Sequence, residues 1–224
     1  EGTTAPKPNY KPKRILTRPE LDAFLEVVEQ DDVWRDFFQV ELMTGLRRGE
    51  ICGLQWSDFD EAAGTLKVCR TLHGQRKGTY TIGETKTNQG MRTIILPHSV
   101  VDILRRRKTD AIGPWIFPDP VRPEDPVNPG SAYTHMKTLL QHAGLPSIRF
   151  HDLRHTFATM AISSGVDVKT LSNMLGHYSA GFTLDTYTHI TNDMQRGAAE
   201  KIGGFMESAT AITTPEPPDP PKES

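Results

Sequence analysis

The sequence predicts a mixed, mainly α-helical domain that carries a small three-stranded antiparallel sheet. Apolar residues recur at helical spacing through most of the chain, whereas residues 65–96 alternate β-branched and polar side chains between glycine-containing turns. At 224 residues the chain is long enough to bury one large core and to carry tails at its ends. No apolar run approaches the length that spans a bilayer, so no contact with a membrane is expected.

Capping residues and terminal glycines place the helices along the chain. Thr17 and Glu20 form the capping box of the first helix, and Gly45 ends the second. Arg47 then lies at the start of a short helix, directly after a tight turn. Apart from this short helix, helices are predicted at about residues 18–29, 32–44, 98–108, 129–143, 151–164, 168–175, 183–188 and 193–206.

The sheet is predicted from three β runs, at Thr65–Leu72, Thr79–Thr85 and Arg92–Leu96. Glycines bracket the first turn, and Asn-Gln-Gly forms the second. Lys86 lies at the mouth of the second hairpin.

The two ends of the chain differ in composition from the rest. Residues 1–14 are rich in proline and lysine without apolar periodicity, which predicts a linker or arm. Residues 207–224 are rich in proline and acidic residues, which predicts a disordered tail. A domain at 15–206 remains between them. Two cysteines, Cys52 and Cys69, are too few for a disulfide framework, so we expect reduced thiols and a cytoplasmic protein.

The net charge of −2 does not by itself indicate a nucleic-acid-binding protein. The net charge of the whole chain is misleading, because the tail at 207–224 holds four acidic side chains against one lysine. Basic residues cluster locally at 7–14, at 47–48 and at 105–108, and local clusters matter more than the sum for a phosphate backbone. Residues 105–108 are equally well explained as a solvated helix end.

Six side chains supply the groups that phosphoryl transfer requires. A tyrosine can attack a phosphodiester and form a covalent intermediate, although its phenol is a weak nucleophile near neutral pH. Two arginines can clamp the non-bridging oxygens, a lysine can protonate the leaving alkoxide, and histidines can bind the phosphate or move the phenol proton. No metal is required. The candidates are Arg47, Lys86, His151, Arg154, His177 and Tyr187.

Each candidate also has an ordinary structural explanation when it is taken alone. Arg47 can pair with Glu50, and Lys86 can be solvated on a hairpin tip. Tyr187 can be a half-buried aromatic residue, and His177 can end a helix. The order and spacing of all six residues favour a phosphoryl-transfer site.

A zinc site is an alternative use of the histidines. His151 and His155 are spaced like the pair on a zinc-binding helix, but Asp152 replaces the glutamate of H-E-x-x-H. A third ligand from His177 or His189 would be needed. The chain has no Gly-rich phosphate-binding loop, so neither ATP nor a dinucleotide cofactor is expected.

The segments TGLRRGE, KTNQGMRTIILP, HDLRHTFAT and LGHYSAGFTLDTYTH resemble the catalytic domain of the tyrosine recombinases, the phage-integrase family. The resemblance covers about residues 15–206 and is closest in style to integrases of conjugative transposons and temperate phages. Its most specific part is His-x-x-Arg, then Leu-Gly-His, then a tyrosine ten residues later. Gly49 stands where the family often has serine, which indicates a packing role.

The resemblance implies a covalent mechanism that needs no ATP. Tyr187 would attack the scissile phosphate and become linked to its 3′ side, releasing a 5′-hydroxyl. Arg47 and Arg154 would bind the phosphate and stabilise the pentacoordinate state.

The resemblance also implies roles for the remaining three candidates. Lys86 would protonate the 5′-oxygen, and His151 would accept or donate the proton of the tyrosine step. His177 would hydrogen-bond the phosphate.

At the level of the whole protein, the resemblance implies a site-specific DNA recombinase or integrase that integrates or excises a mobile element. Its expected partners are double-stranded DNA at attachment or transposon-end sites, directionality or host DNA-bending factors, and further copies of itself. A tetramer on bacterial DNA is expected, with the helix at 193–206 exchanged between protomers. Residues 1–14 would then link this domain to a core-binding domain.

Two alternatives share this fold. A type IB topoisomerase would use the same covalent chemistry to relax DNA, without strand exchange. A catalytically idle DNA-binding accessory protein would keep the fold without the reaction.

Overall fold

The structure is a computed structural model that describes residues 14–74, 79–84, 91–176, 196 and 199–204. Seven α-helices lie within the continuous parts of this range. They are α1 (Arg18–Glu29), α2 (Arg35–Thr44), α3 (Arg48–Cys52), α4 (His98–Thr109), α5 (Pro129–His142), α6 (Phe150–Ser163) and α7 (Val168–Leu175). Residues 199–204 are also helical, as predicted for part of 193–206, whereas the helix predicted at 183–188 lies outside the described residues.

Local capping sets most of these boundaries. The capping box of Thr17 and Glu20 starts α1, and Gly45 ends α2 with φ of 60°. The predicted helix at 32–44 begins three residues late. The reason is a turn in which the Asp31 carboxylate accepts hydrogen bonds from the backbone N–H of Val33 and Trp34, at 3.1 and 2.8 Å.

In the part of the chain that the structure describes, the strands form two antiparallel sheets, not one. The strands are β1 (Phe59–Asp60), β2 (Thr65–Val68), β3 (Arg70–Gly74), β4 (Tyr80–Glu84) and β5 (Arg92–Ile95). One sheet has the order β1-β2-β5, and β3 pairs with β4 in the other.

The prediction of a small antiparallel sheet is confirmed, and β4 and β5 match two of the predicted runs, but the single first strand and the pairing of all three runs in one sheet are wrong. The predicted first strand breaks at Cys69, whose Sγ donates to Asp58 Oδ1 at 3.3 Å. Arg70 pairs with the same buried carboxylate, so the chain leaves one sheet and enters the other beside Asp58.

The core consists of two clusters that α6 connects. The larger cluster joins α1 to α5 and the first turn of α6 with the β1-β2-β5 sheet, and Phe37 and Phe38 make edge-to-face contacts within it. The smaller cluster contains Ala158 and Ile162 of α6 and Leu171 and Leu175 of α7. The first half of α6 is therefore fixed in the main core, and its second half holds α7.

Neither cysteine is in a disulfide: Cys52 is buried and Cys69 is half-buried. None of the helices in the described parts of the chain is both long and apolar enough to cross a membrane.

Gly49 lets α3 pack directly against β3. A Cβ atom at this position would lie 2.4 Å from both the Leu72 carbonyl oxygen and the Thr71 hydroxyl. Real Cβ atoms do not approach backbone so closely, so any side chain would push the β3-β4 hairpin away from α3. The packing role predicted for Gly49 is consistent with this contact.

We predict that Gly49→Ala lowers the free energy of unfolding by about 1–3 kcal/mol, because it overpacks this contact. The control is Gly113→Ala, where the added Cβ would meet the Pro123 carbonyl oxygen at an ordinary 3.5 Å. Urea denaturation of both variants measures the difference. Equal stability of the two variants would contradict the assigned contact.

Candidate active site

The structure brings together three of the six predicted site residues. Arg47 is the N-cap of α3, and His151 and Arg154 lie in the first turns of α6. The other three candidates, Lys86, His177 and Tyr187, lie outside the described residues.

Three arginines converge on the C-terminal end of α7. Arg92 Nε donates to the Met174 carbonyl oxygen at 2.8 Å, and Arg154 Nη2 donates to that of Leu175 at 2.5 Å. The carbonyl oxygen of the next residue, Gly176, accepts a third hydrogen bond at 3.0 Å from Arg47 Nη2. These carbonyls have no partner within the helix and lie at the negative end of its dipole. The helix end therefore gathers cations that come from three different elements.

Arg154 is the most deeply buried of the three arginines. Only 2% of its surface is exposed, and its Nη1 also donates to the Gly45 carbonyl oxygen at 2.8 Å. Burial, and next the positive charge of Arg47, lower the pKa of Arg154 to about 9. The guanidinium is still protonated at neutral pH, and it is a poorly solvated cation that a bound anion would stabilise.

Glu50 compensates part of this charge. Its Oε1 accepts from Arg47 Nη1 at 2.7 Å and from Arg92 Nη1 at 3.0 Å. Its Oε2 accepts from the Arg47 backbone N–H at 2.9 Å and from Arg92 Nη2 at 2.8 Å. Burial alone would raise the pKa of Glu50, but the hydrogen bonds and charge of Arg92, followed by Arg47, lower it to about 2. The pairing of Arg47 with Glu50 is therefore real and forms part of the site.

Sequence reasoning missed Arg92. It is 42 positions from Glu50 in the chain, and its partners at α7 are backbone carbonyls that leave no mark on the sequence. The available signal was its place at the start of a strand, two residues after the segment KTNQG. Gly176 packs on it, since a Cβ there would lie 3.0 Å from Arg92 Nη1.

Glu41 is a second buried carboxyl group near these arginines. It is fully buried, and neither carboxyl oxygen has a hydrogen-bond partner in the described part of the chain. Burial raises its pKa well above the ordinary value, against the opposing effect of the Arg154 charge. Burial therefore favours the neutral form of Glu41, which makes it a weaker counter-charge for the arginines than Glu50.

His151 lies where a proton acceptor would be useful. Its ring packs edge-to-face on His155, with 4.6 Å between the ring centroids. Desolvation, and next the positive charges of Arg154 and Arg47, lower the pKa of His151 below its usual 6.5. The neutral imidazole therefore predominates at pH 7 and can accept a proton.

No metal-binding cluster of three His, Cys, Asp or Glu side chains occurs among the residues that the structure describes. The third ligands considered for zinc, His177 and His189, lie outside that range.

Two of the predicted arginines therefore meet at the end of α7, and their charges are close enough to His151 to lower its pKa. The model of the phage integrase family matches residues 14–194, so the chain belongs to this family. This match also agrees with the described fold, in which most elements are helices and the sheets are small.

Individual relatives agree with the family. The chain is 28% identical to a tyrosine recombinase XerC-like protein of Caldanaerobacter subterraneus over 75% of its own length and 49% of the relative. It is also 28% identical to the ICEBs1 integrase of Bacillus subtilis, over 89% of the chain and 57% of the relative. The chain thus spans about half the length of these curated relatives.

A solved structure is similar in fold. The Tn1549 transposon integrase in complex with transposon right end DNA superposes with a TM-score of 0.75 and 26% identity. The match covers 87% of this chain and 68% of that one.

The Glu50 carboxylate should make stability depend on pH. Because its pKa is lowered on folding, its contribution is present above about 4.5 and is lost as the pH falls towards 2. At neutral pH this lowering of the pKa corresponds to about 3 kcal/mol of unfolding free energy. We predict that the difference in unfolding free energy between wild type and Glu50→Gln is largest at pH 7 and shrinks through this window. Denaturation series from pH 2 to 7 test it, and a difference that is constant with pH would contradict the assignment.

Proposed function

We propose that the chain is the catalytic domain of a site-specific DNA recombinase that cleaves and rejoins strands through a 3′-phosphotyrosyl intermediate. The observation that supports it most is the convergence of Arg47 and Arg154 at the end of α7, with His151 within reach of their charges, in a chain of the phage integrase family. The relatives named as recombinases and integrases favour strand exchange over topoisomerase-like relaxation or an idle accessory role.

The scissile phosphate would bind against the two arginines. The Arg47 side chain is 41% exposed, so its guanidinium can meet a ligand that arrives from solvent. Arg154 would act from beneath, with donors left over after its two bonds to backbone carbonyls. Negative charge accumulates on the non-bridging oxygens in the transition state, and preorganised donors in a poorly solvated site stabilise it most.

The remaining steps follow the family motifs. The phenol oxygen of Tyr187 attacks phosphorus while the bond to the 5′-oxygen breaks. Lys86 gives its proton to that oxygen, and the neutral imidazole of His151 takes the phenol proton. His177 hydrogen-bonds the phosphate. The phosphotyrosyl bond keeps the energy of the phosphodiester, so attack by another 5′-hydroxyl reverses the step and joins a new strand without ATP.

The proposed partners follow from the same family. The substrate would be double-stranded DNA at attachment or transposon-end sites, bound by a tetramer of this chain with directionality or DNA-bending factors. Residues 15–206 would form the catalytic domain, and the helical segment near 199–204 would be exchanged between copies.

Covalent trapping tests the proposed reaction. A nicked suicide duplex carrying an end of the encoding element should yield a protein–DNA adduct on a denaturing gel. Tyr187→Phe should abolish the adduct, because no other group replaces the nucleophile. The control Tyr80→Phe loses only the hydrogen bond from its hydroxyl to Asp125, 3.2 Å long, and should keep the adduct. An adduct that persists in Tyr187→Phe would refute the assignment.

A second test concerns Arg92, which we propose as a positioning residue. Lysine keeps the charge but cannot bridge both Glu50 oxygens and the Met174 carbonyl together. Arg92→Lys should therefore slow cleavage at saturating DNA by about 10- to 100-fold, the cost of a slightly misplaced clamp. Its affinity for DNA should change far less.

Arg70→Lys is the matched control. Arg70 also joins a buried carboxylate, Asp58, to a backbone carbonyl, that of Gly53, but it does not contact α7. It should lose similar stability and still cleave. Equal losses of cleavage in both variants would show that Arg92 acts only through stability.

A further inference from the structure

A cleft of about 300 Å³ opens directly beside His151. It lies between the start of α3, the side of α5 and the start of α6. Its lining residues are Leu46, Arg48, Tyr133, Arg149, Phe150 and His151. Two of these are arginines and two are aromatic, and the imidazole of His151 is shared with the candidate active site.

Two aromatic rings orient the Arg48 guanidinium in this cleft, and they do so without neutralising its charge. Its guanidinium carbon lies 5.7 Å from the centroid of the Tyr133 ring and 6.0 Å from that of Phe150. The side chain is exposed, and within the described parts of the chain no carboxylate forms an ion pair with it. Aromatic faces restrict a guanidinium and leave its N–H donors available.

The cleft is positively charged beyond Arg48. Arg149 binds both oxygens of Asp152, at 2.7 and 3.1 Å, yet 54% of its side chain is exposed. Lys137 is not in the lining of the cleft, but Lys137 Nζ lies 4.9 Å from the centroid of the Tyr133 ring, which is part of that lining. An anion entering the cleft would meet two guanidinium groups, of which Arg149 is paired with the Asp152 carboxylate.

The basic run at 105–108, which the sequence left open as a phosphate-binding patch, is different. Arg105 pairs with Glu61 and Asp102, and Lys108 also pairs with Glu61. Arg106 and Arg107 both pair with Asp36. All four side chains have acidic partners, although they share three carboxylates, so this run is a helix end held by ion pairs and, unlike Arg48, is partly neutralised.

We propose that the cleft around Arg48 binds a second phosphate of the DNA backbone, next to the phosphate that reacts. This inference rests on the proposed function for the choice of ligand, because DNA presents a neighbouring phosphate wherever it presents the scissile one. Arg47 would clamp the reacting phosphate and Arg48, its neighbour in the chain, would fix the strand on the side of His151. The strand would then be held at two points, which sets its register in the site.

Salt dependence of DNA binding tests the cleft without knowledge of the target sequence. Each phosphate contact with duplex DNA adds about 0.9 to the slope of log K against log salt. With the 224-residue chain and a short duplex of arbitrary sequence, Arg48→Gln should lower this slope by about one and weaken binding roughly tenfold at low salt. Arg48→Lys keeps the charge and should restore most of the slope.

Arg105→Gln removes the same charge from an exposed arginine that is already paired, so its slope should match wild type. An unchanged slope in Arg48→Gln, or an equal fall in Arg105→Gln, would overturn the proposal. The suicide-duplex assay on wild type distinguishes a failure of the proposed cleft from a failure of the proposed recombinase reaction. An adduct with no effect of Arg48→Gln on the slope refutes only the cleft. The expected slope change without any adduct supports the cleft and counts against the reaction.

Discussion

The capture of the C-terminal end of α7 by three arginines is the interaction on which the site depends. Three successive carbonyl groups, at Met174, Leu175 and Gly176, each accept a hydrogen bond from a different guanidinium. The donors come from α3, β5 and α6, so the helix end joins elements that are far apart in sequence. Because α6 and α7 share their own small apolar cluster, the helix can be placed firmly without extending the main core.

Charge balance explains why such a cluster is useful and why it is stable. Glu50 is ionised and binds two of the arginines, whereas burial raises the pKa of the nearby Glu41 well above its ordinary value. Three guanidiniums thus meet a single carboxylate that is hydrogen-bonded to any of them, Glu50, in a poorly solvated place. Electrostatic interactions are stronger there than in water, so a phosphate would be bound tightly and its transition-state charge stabilised.

The sequence predicted what depends on local signals. For α1, α2 and α4 to α7, the predicted helix starts and ends fell within three residues of the structure, because caps such as Thr17 and Gly45 act on their own neighbours. The partition of the strands was wrong, because it depends on Asp58, a buried side chain that no strand pattern reveals. Contacts between residues that are far apart in the sequence leave no comparable signal in the sequence around each residue.

The candidate site shows the same contrast between features with a local sequence signal and features that depend on long-range contacts. The identities of Arg47, His151 and Arg154 were predictable from motif and spacing, and the structure places them together. The groups that hold these three side chains in position were not predictable. Arg92 and the carbonyl groups of α7 act through the fold, and backbone acceptors are the same in every sequence. The Arg47 guanidinium pairs with Glu50 and also donates to the Gly176 carbonyl oxygen at the end of α7, so the structural pair and the candidate site share this side chain.

The most direct measurement of the central claim is a structure of the Tyr187→Phe chain bound to a cognate DNA duplex. The account predicts the scissile phosphate at the end of α7, with its non-bridging oxygens about 2.7–3.2 Å from guanidinium nitrogens of Arg47 and Arg154. The two arginines should keep their bonds to the carbonyls of Gly176 and Leu175. A phosphate bound elsewhere on the domain, with Arg47 and Arg154 contacting only protein, would contradict the account.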